Sequence, residues 1–141
     1  MKIFLDANIL VAVLNKEYPL FSHAARVVSL TDRKDFEVYT SPLCLAIAFY
    51  FAGKKSGSKL AREKITLLSE RIQIAGVDET AVRNTCQNKS IHDFEDGLQY
   101  YAAESANCEA IITENPEDFY FGEIKILRSE EFLAFVASRK A

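Results

Sequence analysis

The stretch Ile3-Phe4-Leu5-Asp6-Ala7-Asn8-Ile9-Leu10 decides the fold, because one short apolar run ends in a carboxylate and a second run follows at once. The first run predicts a buried strand over residues 2–6. The second predicts a helix over residues 8–14, and Asp6 is a residue type that caps helix N-termini. A buried strand followed directly by a helix is typical of the crossover units of a parallel sheet.

The rest of the chain repeats this alternation of strand and helix. Further strands are predicted over residues 36–40, within residues 71–77, and over residues 109–113 and 125–127. Helices are predicted over residues 18–33, 42–52, 59–70, 78–87, 90–107 and 130–138. The alternation predicts an α/β fold in a single domain of residues 1–141, with a mainly parallel sheet covered by helices on both faces.

Length and charge narrow the class of protein. A chain of 141 residues with 49% hydrophobic residues can bury the core of one ordinary domain. The formal net charge of -3, from 17 basic and 20 acidic residues, argues against a protein that coats DNA, but it is compatible with an enzyme acting on nucleic acid. The first residues do not resemble a signal peptide, and no apolar run reaches the roughly 18 residues of a membrane span. We therefore expect a soluble, cytoplasmic protein.

Polar side chains follow two of the predicted strands. Asp6 and Asn8 come after the first strand, and Thr113, Asn115 and Asp118 come after the fourth. Ligands of parallel sheets bind beyond the carboxyl ends of the strands, where the strand order reverses. If these two strands are neighbours, the five side chains converge on one crevice. Structural roles also stay open, since Asp6 could cap a helix and Asn115 could begin a turn.

A third acidic group, Asp93-Phe94-Glu95-Asp96, lies near the start of a predicted helix. At about 100° per residue, Asp93 and Asp96 point within about 60° of one another and share a face. Carboxylates in a first helical turn also suit the cap and the dipole, so a purely structural role stays open. A few convergent carboxylates can hold Mg²⁺ or Mn²⁺, which prefer oxygen ligands. Such a metal activates water against a phosphodiester, and no protein nucleophile is then needed.

A local basic stretch surrounds the start of the helix predicted over residues 59–70. Its side chains are those of Lys54, Lys55, Lys59, Arg62 and Lys64. The stretch predicts either salt-sensitive contacts with RNA phosphates or an ordinary solvated surface.

Four segments of the chain carry most of these residues: IFLDANIL at 3–10, TSPLCLA at 40–46, DFEDGLQ at 93–99 and IITENPEDF at 111–119. In order and spacing they resemble the four motifs of the PIN-domain family. The resemblance implies a three-layer α/β/α sandwich with a central, mainly parallel five-stranded sheet. It also implies ribonuclease chemistry that depends on Mg²⁺ or Mn²⁺. Many bacterial relatives are VapC-like toxins, often homodimers bound by a small antitoxin protein.

The resemblance assigns roles by position. Asp6 and Asp96 match metal-binding acids of the family, and Asp118 matches the acid of the last motif. Thr113 and Asn115 match polar residues near the metal, although many relatives have aspartate where Asn115 stands.

The second motif departs from the family pattern, because Ile47 stands where the family has a glutamate. Asp93, on the predicted helix face of Asp96, is the candidate for replacing that carboxylate.

The leading hypothesis is a metal-dependent endoribonuclease, and possible toxin, in which Asp6, Asp96 and Asp118 are catalytic. The metal would be held by four carboxylates, those of Asp6, Asp93, Asp96 and Asp118. The substrate or ligand would be oriented by polar side chains, those of Asn8, Thr113 and Asn115. RNA phosphates would contact basic side chains, those of Lys54, Lys55, Lys59 and Arg62.

Two competing hypotheses belong to other classes. Ile47 favours a catalytically degenerate PIN domain that binds RNA or a protein partner without cutting. A phosphatase of the haloacid-dehalogenase type would use Asp6 as nucleophile. It needs a second aspartate two residues later, where this chain has Asn8.

Overall fold

A computed structural model describes residues 1–139 of the chain, which form five strands and seven α-helices. The strands are β1 (Lys2–Leu5), β2 (Glu37–Thr40), β3 (Gln73–Ile74), β4 (Ala110–Ile112) and β5 (Lys125–Leu127). The helices are α1 (Ala7–Leu14), α2 (Leu20–Val28), α3 (Pro42–Ser56), α4 (Ser58–Arg71), α5 (Glu79–Gln87), α6 (Phe94–Ser105) and α7 (Ser129–Ser138). Short 3₁₀ turns cover Ser29–Asp32 and Pro116–Phe119.

The strands form one sheet in the order β3-β2-β1-β4-β5, and all four pairings are parallel. Strand β1 is central, with Phe4 opposite Tyr39 of β2 on one side and Ile111 of β4 on the other. The chain first builds the sheet outward from β1 through β2 to β3, and then returns to add β4 and β5 on the other side. The strand order therefore reverses between β1 and β4, as the hypothesis of a shared crevice requires.

The core lies on both faces of the central strands. Ile3, Phe4 and Leu5 of β1 and Ile111 and Ile112 of β4 are fully buried. Helices α1 to α4 and α7 pack with one another in pairs, while α5 packs with α6. The predicted three-layer α/β/α sandwich with a five-stranded sheet is confirmed.

Helix boundaries differ from the predictions by more than two residues at three places. The helix expected over residues 18–33 is α2 followed by a 3₁₀ turn, and α3 continues four residues beyond its expected end at residue 52. The helix expected from residue 90 begins at Phe94, because the Asp93 side chain caps it. Helix α3 begins at Pro42 as expected, and the Ser41 side chain caps it by accepting a hydrogen bond from the Cys44 N–H.

A glycine sets how closely α5 and α6 approach each other. A Cβ atom built on Gly97 would lie 2.4 Å from the Thr85 Cγ2 atom, which is too close for any side chain. Thr85 is itself buried, and its hydroxyl donates a hydrogen bond to the Ala81 carbonyl oxygen. The start of α6, with its acidic residues, is therefore positioned by direct packing against α5.

None of the helices within residues 1–139 is both long and apolar enough to cross a membrane.

Candidate active site

Asp6 lies where β1 ends and α1 begins. Its Oδ1 atom accepts a hydrogen bond from the Ala7 backbone N–H at 2.8 Å, so it caps the helix. Its Oδ2 atom accepts a hydrogen bond from the Thr113 hydroxyl at 2.8 Å. The buried Cys44 thiol lies 3.9 Å from Oδ1. The capping role considered from the sequence is real, and it leaves the Asp6 carboxylate at the edge of a cleft.

Thr113 fixes how the Asp6 carboxylate is held. The Thr113 side chain is fully buried at the end of β4, and its oxygen accepts hydrogen bonds from Asn8 Nδ2 and from the Asn115 N–H, both at 3.1 Å. Two donors therefore point at this oxygen, so its single proton is directed to Asp6. The Asn8 Oδ1 atom accepts a hydrogen bond from the Glu114 N–H at 3.2 Å, which fixes the orientation of the amide. The predicted convergence of the ends of β1 and β4 is confirmed.

A cleft of about 400 Å³ opens beside Asp6. Its polar lining comes from residues of several elements, namely Asp6, Asn8, Glu17, Glu95, Asn115 and Asp118. Its apolar wall includes Val11, Leu20, Ile47 and Phe51. Asp118 reaches the cleft from the 3₁₀ turn Pro116–Phe119, which is closed by a hydrogen bond from the Asp118 N–H to the Asn115 carbonyl oxygen at 3.0 Å.

Asp93 takes a different position from the one expected. It is the N-cap of α6, with extended backbone angles (φ -108°, ψ 116°), and its Oδ1 atom accepts a hydrogen bond from the Glu95 N–H at 3.0 Å. Because Asp93 lies outside the regular helix, the helical spacing that was expected to align it with Asp96 does not apply. The carboxylate that lines the cleft from this segment is that of Glu95.

The acidic side chains around the cleft act on one another electrostatically. Burial raises the pKa of Asp6, against the lowering effect of its hydrogen bonds from Thr113 and Ala7. Burial and then the charges of Asp93, Asp118, Asp6 and Glu95 raise the pKa of Asp96 to about 7. The charged groups that raise this pKa are all carboxylates, so protonation or a cation would relieve their repulsion.

The pKa values of two other acids rise for the same reasons. Burial and the charges of Asp93 and Asp6 raise the pKa of Glu95. Burial and the charges of Glu117 and Asp93 raise the pKa of Asp118. Four acids from three separate segments of the chain are thus linked through their charges, namely Asp6, Glu95, Asp96 and Asp118.

A divalent metal ion fits the chemistry of these donors. Their oxygens are the ligands that Mg²⁺ and Mn²⁺ prefer, and the repulsion that raises the pKa of Asp96 is what a cation would offset. As the side chains stand in residues 1–139, no three His, Cys, Asp or Glu residues are close enough to hold an ion. The residues therefore match a metal in kind and charge, and closer coordination would require side-chain rotation.

The sequence patterns did not predict two carboxylates of the cleft, those of Glu95 and Glu17. Glu95 stands between two predicted ligands, and its place in a first helical turn suggested only an interaction with the helix dipole. Glu17 lies in the loop after α1, and nothing in its sequence surroundings indicates a site. Ile47, which stands where the resemblance predicts a glutamate, lines the cleft.

The basic stretch lies partly at the other end of α1. The Lys55 ammonium group donates to the Asn15 carbonyl oxygen, and the Lys64 ammonium group donates to the Leu14 carbonyl oxygen at 2.8 Å. These carbonyls terminate α1, about 12 Å along the helix from Asp6. Both lysines therefore stabilise the negative end of the helix dipole.

The other three basic residues proposed to contact RNA, Lys54, Lys59 and Arg62, are exposed. The Lys54 ammonium group lies 5.0 Å from the centre of the Tyr50 ring.

Comparison with known proteins gives one family match and several relatives. A family model described as a PIN domain matches residues 2–117. The chain is 25% identical over 134 residues to Ribonuclease VapC1 of Aquifex aeolicus (strain VF5), which covers 93% of this chain and 92% of that protein.

Solved structures share the fold. VapBC2 from Rickettsia felis, bound to a promoter DNA fragment, superposes with a TM-score of 0.68 at 19% identity, over 91% of this chain and 98% of that chain. VapC20 of Mycobacterium tuberculosis, described as a toxin that cleaves the sarcin-ricin loop, gives a TM-score of 0.62 at 18% identity, over 77% of this chain and 86% of that chain.

Proposed function

Because the chain belongs to the PIN domain family, we propose that it is a metal-dependent endoribonuclease that hydrolyses RNA phosphodiester bonds. The observation that carries the proposal is the acidic cleft at the junction of β1, β4 and α6, where Asp6, Glu95 and Asp118 face one space. The likeness to a ribonuclease over nearly the whole chain supports the same reaction. Metal-assisted hydrolysis requires no protein nucleophile, which is consistent with this set of side chains.

The acids of the β1, α6 and 3₁₀ segments in and beside the cleft have separate roles in this proposal. Asp6, Asp96 and Asp118 would hold Mg²⁺ or Mn²⁺, and Glu95 would supply the negative charge that Ile47 cannot. Asp93 would contribute through its charge while it caps α6. A divalent ion at this place supplies Lewis-acid chemistry, because it acidifies water and neutralises charge on the phosphate.

The polar residues around Asp6 position it rather than react. The Thr113 hydroxyl donates a hydrogen bond to Asp6, and the Asn8 amide donates a hydrogen bond to the Thr113 oxygen. The carboxylate is therefore held in one orientation before substrate arrives, which lowers the cost of reorganisation during reaction. Asn115 lines the cleft and is exposed, so its amide is available to orient a substrate phosphate.

The direct test is RNA cleavage by the purified protein with Mn²⁺ or Mg²⁺ and a panel of single-stranded RNAs. We expect Asp6→Asn to reduce the rate by roughly 100-fold or more, because the central ligand loses its charge. Asp32→Asn is the matched control, since Asp32 lies on a surface turn and pairs with Arg71. Absence of metal-stimulated cleavage, or equal cleavage by Asp6→Asn, would overturn the proposal.

Ile47 favours a second candidate function, a module that binds RNA or a protein without cutting. Its aliphatic side chain faces the cleft where a glutamate is expected. Calorimetry with Mn²⁺ separates the two functions, because a module that only binds should take up little or no metal. Ile47→Glu should then raise the affinity for Mn²⁺; an unchanged affinity would show that Ile47 is not the reason for weak binding.

We also propose that the protein is a toxin controlled by a small antitoxin and that it forms a homodimer. The structural likeness to a VapBC2 assembly supports a protein partner. The apolar wall of the cleft, with Phe51 46% exposed, offers a surface that such a partner could cover. Light scattering after size exclusion tests the dimer, and growth arrest on expression, relieved by a co-expressed neighbouring reading frame, tests the toxin.

A further inference from the structure

We propose that the exposed, stacked rings of His92 and Tyr120 form a platform on which one base of single-stranded RNA stacks beside the cleft. This inference rests on the proposed function, because it names a part of the substrate and a place for it. The platform consists of His92 and Tyr120, with Phe94 next to it along the chain.

The two rings are held together by contacts between segments that are 28 residues apart in sequence. Their centroids lie 5.6 Å apart with an interplanar angle of 28°, which is a stacked arrangement. The His92 backbone N–H donates to the Tyr120 hydroxyl oxygen at 3.2 Å, and that hydroxyl donates to the Ser90 carbonyl oxygen. These bonds hold the loop before α6 against the segment that follows the 3₁₀ turn.

The rings remain open to solvent although they are fixed in place. Tyr120 is 54% exposed, Phe94 is 49% exposed, and His92 is also exposed. Burying an aromatic ring would stabilise the fold, so rings kept outside and pre-oriented are suited to stacking on a ligand. Because their positions are already fixed, little conformational entropy is lost when a base stacks on them.

The platform lies on the two chain segments that bring Glu95 and Asp118 to the cleft. Tyr120 lies two residues after Asp118, and His92 directly precedes Asp93. Asp118 lines the cleft itself, and Glu95, three residues after His92, lines it as well. A strand of RNA with one phosphate at the cleft would thus have a neighbouring base near the two rings.

Electrostatics favours a base over a phosphate as the group that binds here. When no metal is bound, the carboxylates that line the cleft repel the phosphate backbone, so contacts that carry no charge are the ones suited to hold RNA next to the site. Stacking on aromatic faces supplies such affinity in proteins that bind single-stranded RNA, and it tolerates different bases. The platform therefore explains how an acidic cleft could retain RNA without a basic wall.

The test measures binding of a single-stranded RNA containing 2-aminopurine, in EDTA, so that cleavage plays no part. We expect the wild type to quench its fluorescence, and Tyr120→Leu and His92→Ala to weaken binding roughly tenfold each. Tyr120→Phe keeps the ring but loses the hydroxyl that ties it to His92 and Ser90, so binding should weaken less than in Tyr120→Leu. Leu67→Ala is the control, because Leu67 is 65% exposed on α4 and does not line the cleft.

Several outcomes would overturn the platform. The proposal fails if the wild type does not bind, if Tyr120→Leu binds as tightly as the wild type, or if Tyr120→Phe loses as much affinity as Tyr120→Leu. It also fails if an RNA with an abasic site binds as tightly as the RNA containing 2-aminopurine. Cleavage with Mn²⁺ is measured separately on the same variants. Platform-dependent binding without cleavage would support the platform and refute the nuclease, whereas cleavage with unchanged binding in the variants would do the reverse.

Discussion

The two sides of the cleft position their carboxylates by different means. On one side, Asp6 is largely buried and accepts hydrogen bonds from Ala7 and Thr113. On the other, Glu95 is exposed and Asp96 is half-buried at the start of a helix that is positioned by the contact of Gly97 with α5. One side is thus fixed by polar contacts to its own carboxylate, and the other by packing of the backbone beneath it.

The difference between the Asp6 side and the α6 side indicates which of them should respond to a cation. At Asp6, hydrogen bonds favour the charged carboxylate and oppose the effect of burial on its pKa. At Asp96, burial and the surrounding carboxylates all raise the pKa. We therefore expect the Asp6 side to be organised before a metal binds, and the α6 side to change its charge and side-chain positions when one does.

The largest effect on Mn²⁺ affinity is expected when Thr113, on the Asp6 side of the cleft, loses its hydroxyl. Thr113→Val removes the donor to Asp6 and leaves Asn8 and Asn115 without their acceptor. Loss of such an orienting contact typically weakens metal binding by roughly 10- to 100-fold. Calorimetry with Mn²⁺ measures this, and Thr113→Ser should restore most of the affinity. If the serine variant binds no better than the valine variant, the hydroxyl does not position Asp6.

A side chain at Gly97 should overpack the contact between α5 and α6 and so disturb the α6 side of the cleft through its backbone. Gly97→Ala places a methyl group against Thr85 and should destabilise the fold by about 1–3 kcal/mol. Gly76→Ala is the matched control, because a Cβ atom there meets nothing within 4 Å. Urea unfolding of both variants measures the difference. Equal stability of the two would mean that α5 can shift to admit the methyl group.

A smaller effect is expected from the carboxylate that the sequence did not predict. Glu95→Gln keeps the side-chain shape and removes a charge, so Mn²⁺ affinity should fall roughly three- to tenfold. Glu104→Gln on the same helix is the control, since Glu104 is exposed near its C-terminal end. If both variants bind Mn²⁺ like the wild type, Glu95 does not replace the carboxylate missing at Ile47.

The pH dependence of stability should give the smallest effect, because Asp96 is only half-buried and solvent screens its charge. Because the Asp96 pKa is raised from 3.8 to about 7, the folded chain holds a proton that the unfolded chain releases. The resulting stabilisation is fully present below about pH 4 and is lost as the pH rises to about 7. Urea midpoints in EDTA should fall across this window, and Asp96→Asn should reduce that fall. If the urea midpoint of Asp96→Asn falls as steeply with pH as that of the wild type, other titratable groups cause the fall.

Much of the fold and the central residues of the cleft could be predicted from the sequence. Strand β1 could be predicted because a short, fully apolar run that ends at Asp6 is typical of a buried strand. The meeting of Asp6 with Thr113 follows from parallel pairing, which brings the ends of neighbouring strands to one edge. The predicted nearness of Asn115 and Asp118 follows from the short turn after β4.

The rest depends on contacts that single-chain patterns do not encode. Asp93 and Glu95 are two residues apart, and only the exact start of α6 decides which one caps the helix and which one faces the cleft. Lys55 pairs with a carbonyl 40 residues earlier in the chain, so its structural role is invisible in a local basic run. The stacking of His92 on Tyr120 likewise joins two loops whose spacing follows no period.

The hydrogen bond between Asp6 and Thr113 joins residues that are 107 positions apart. During synthesis at about 5–20 residues per second, roughly 5–20 s separate the appearance of the two residues. Until then β1 lacks its β4 neighbour, and the strand that carries Asp6 has one unpaired edge. A nascent chain that stops before β4 therefore has no assembled cleft, so a ribosome making this protein would complete the site only after Thr113 has been added.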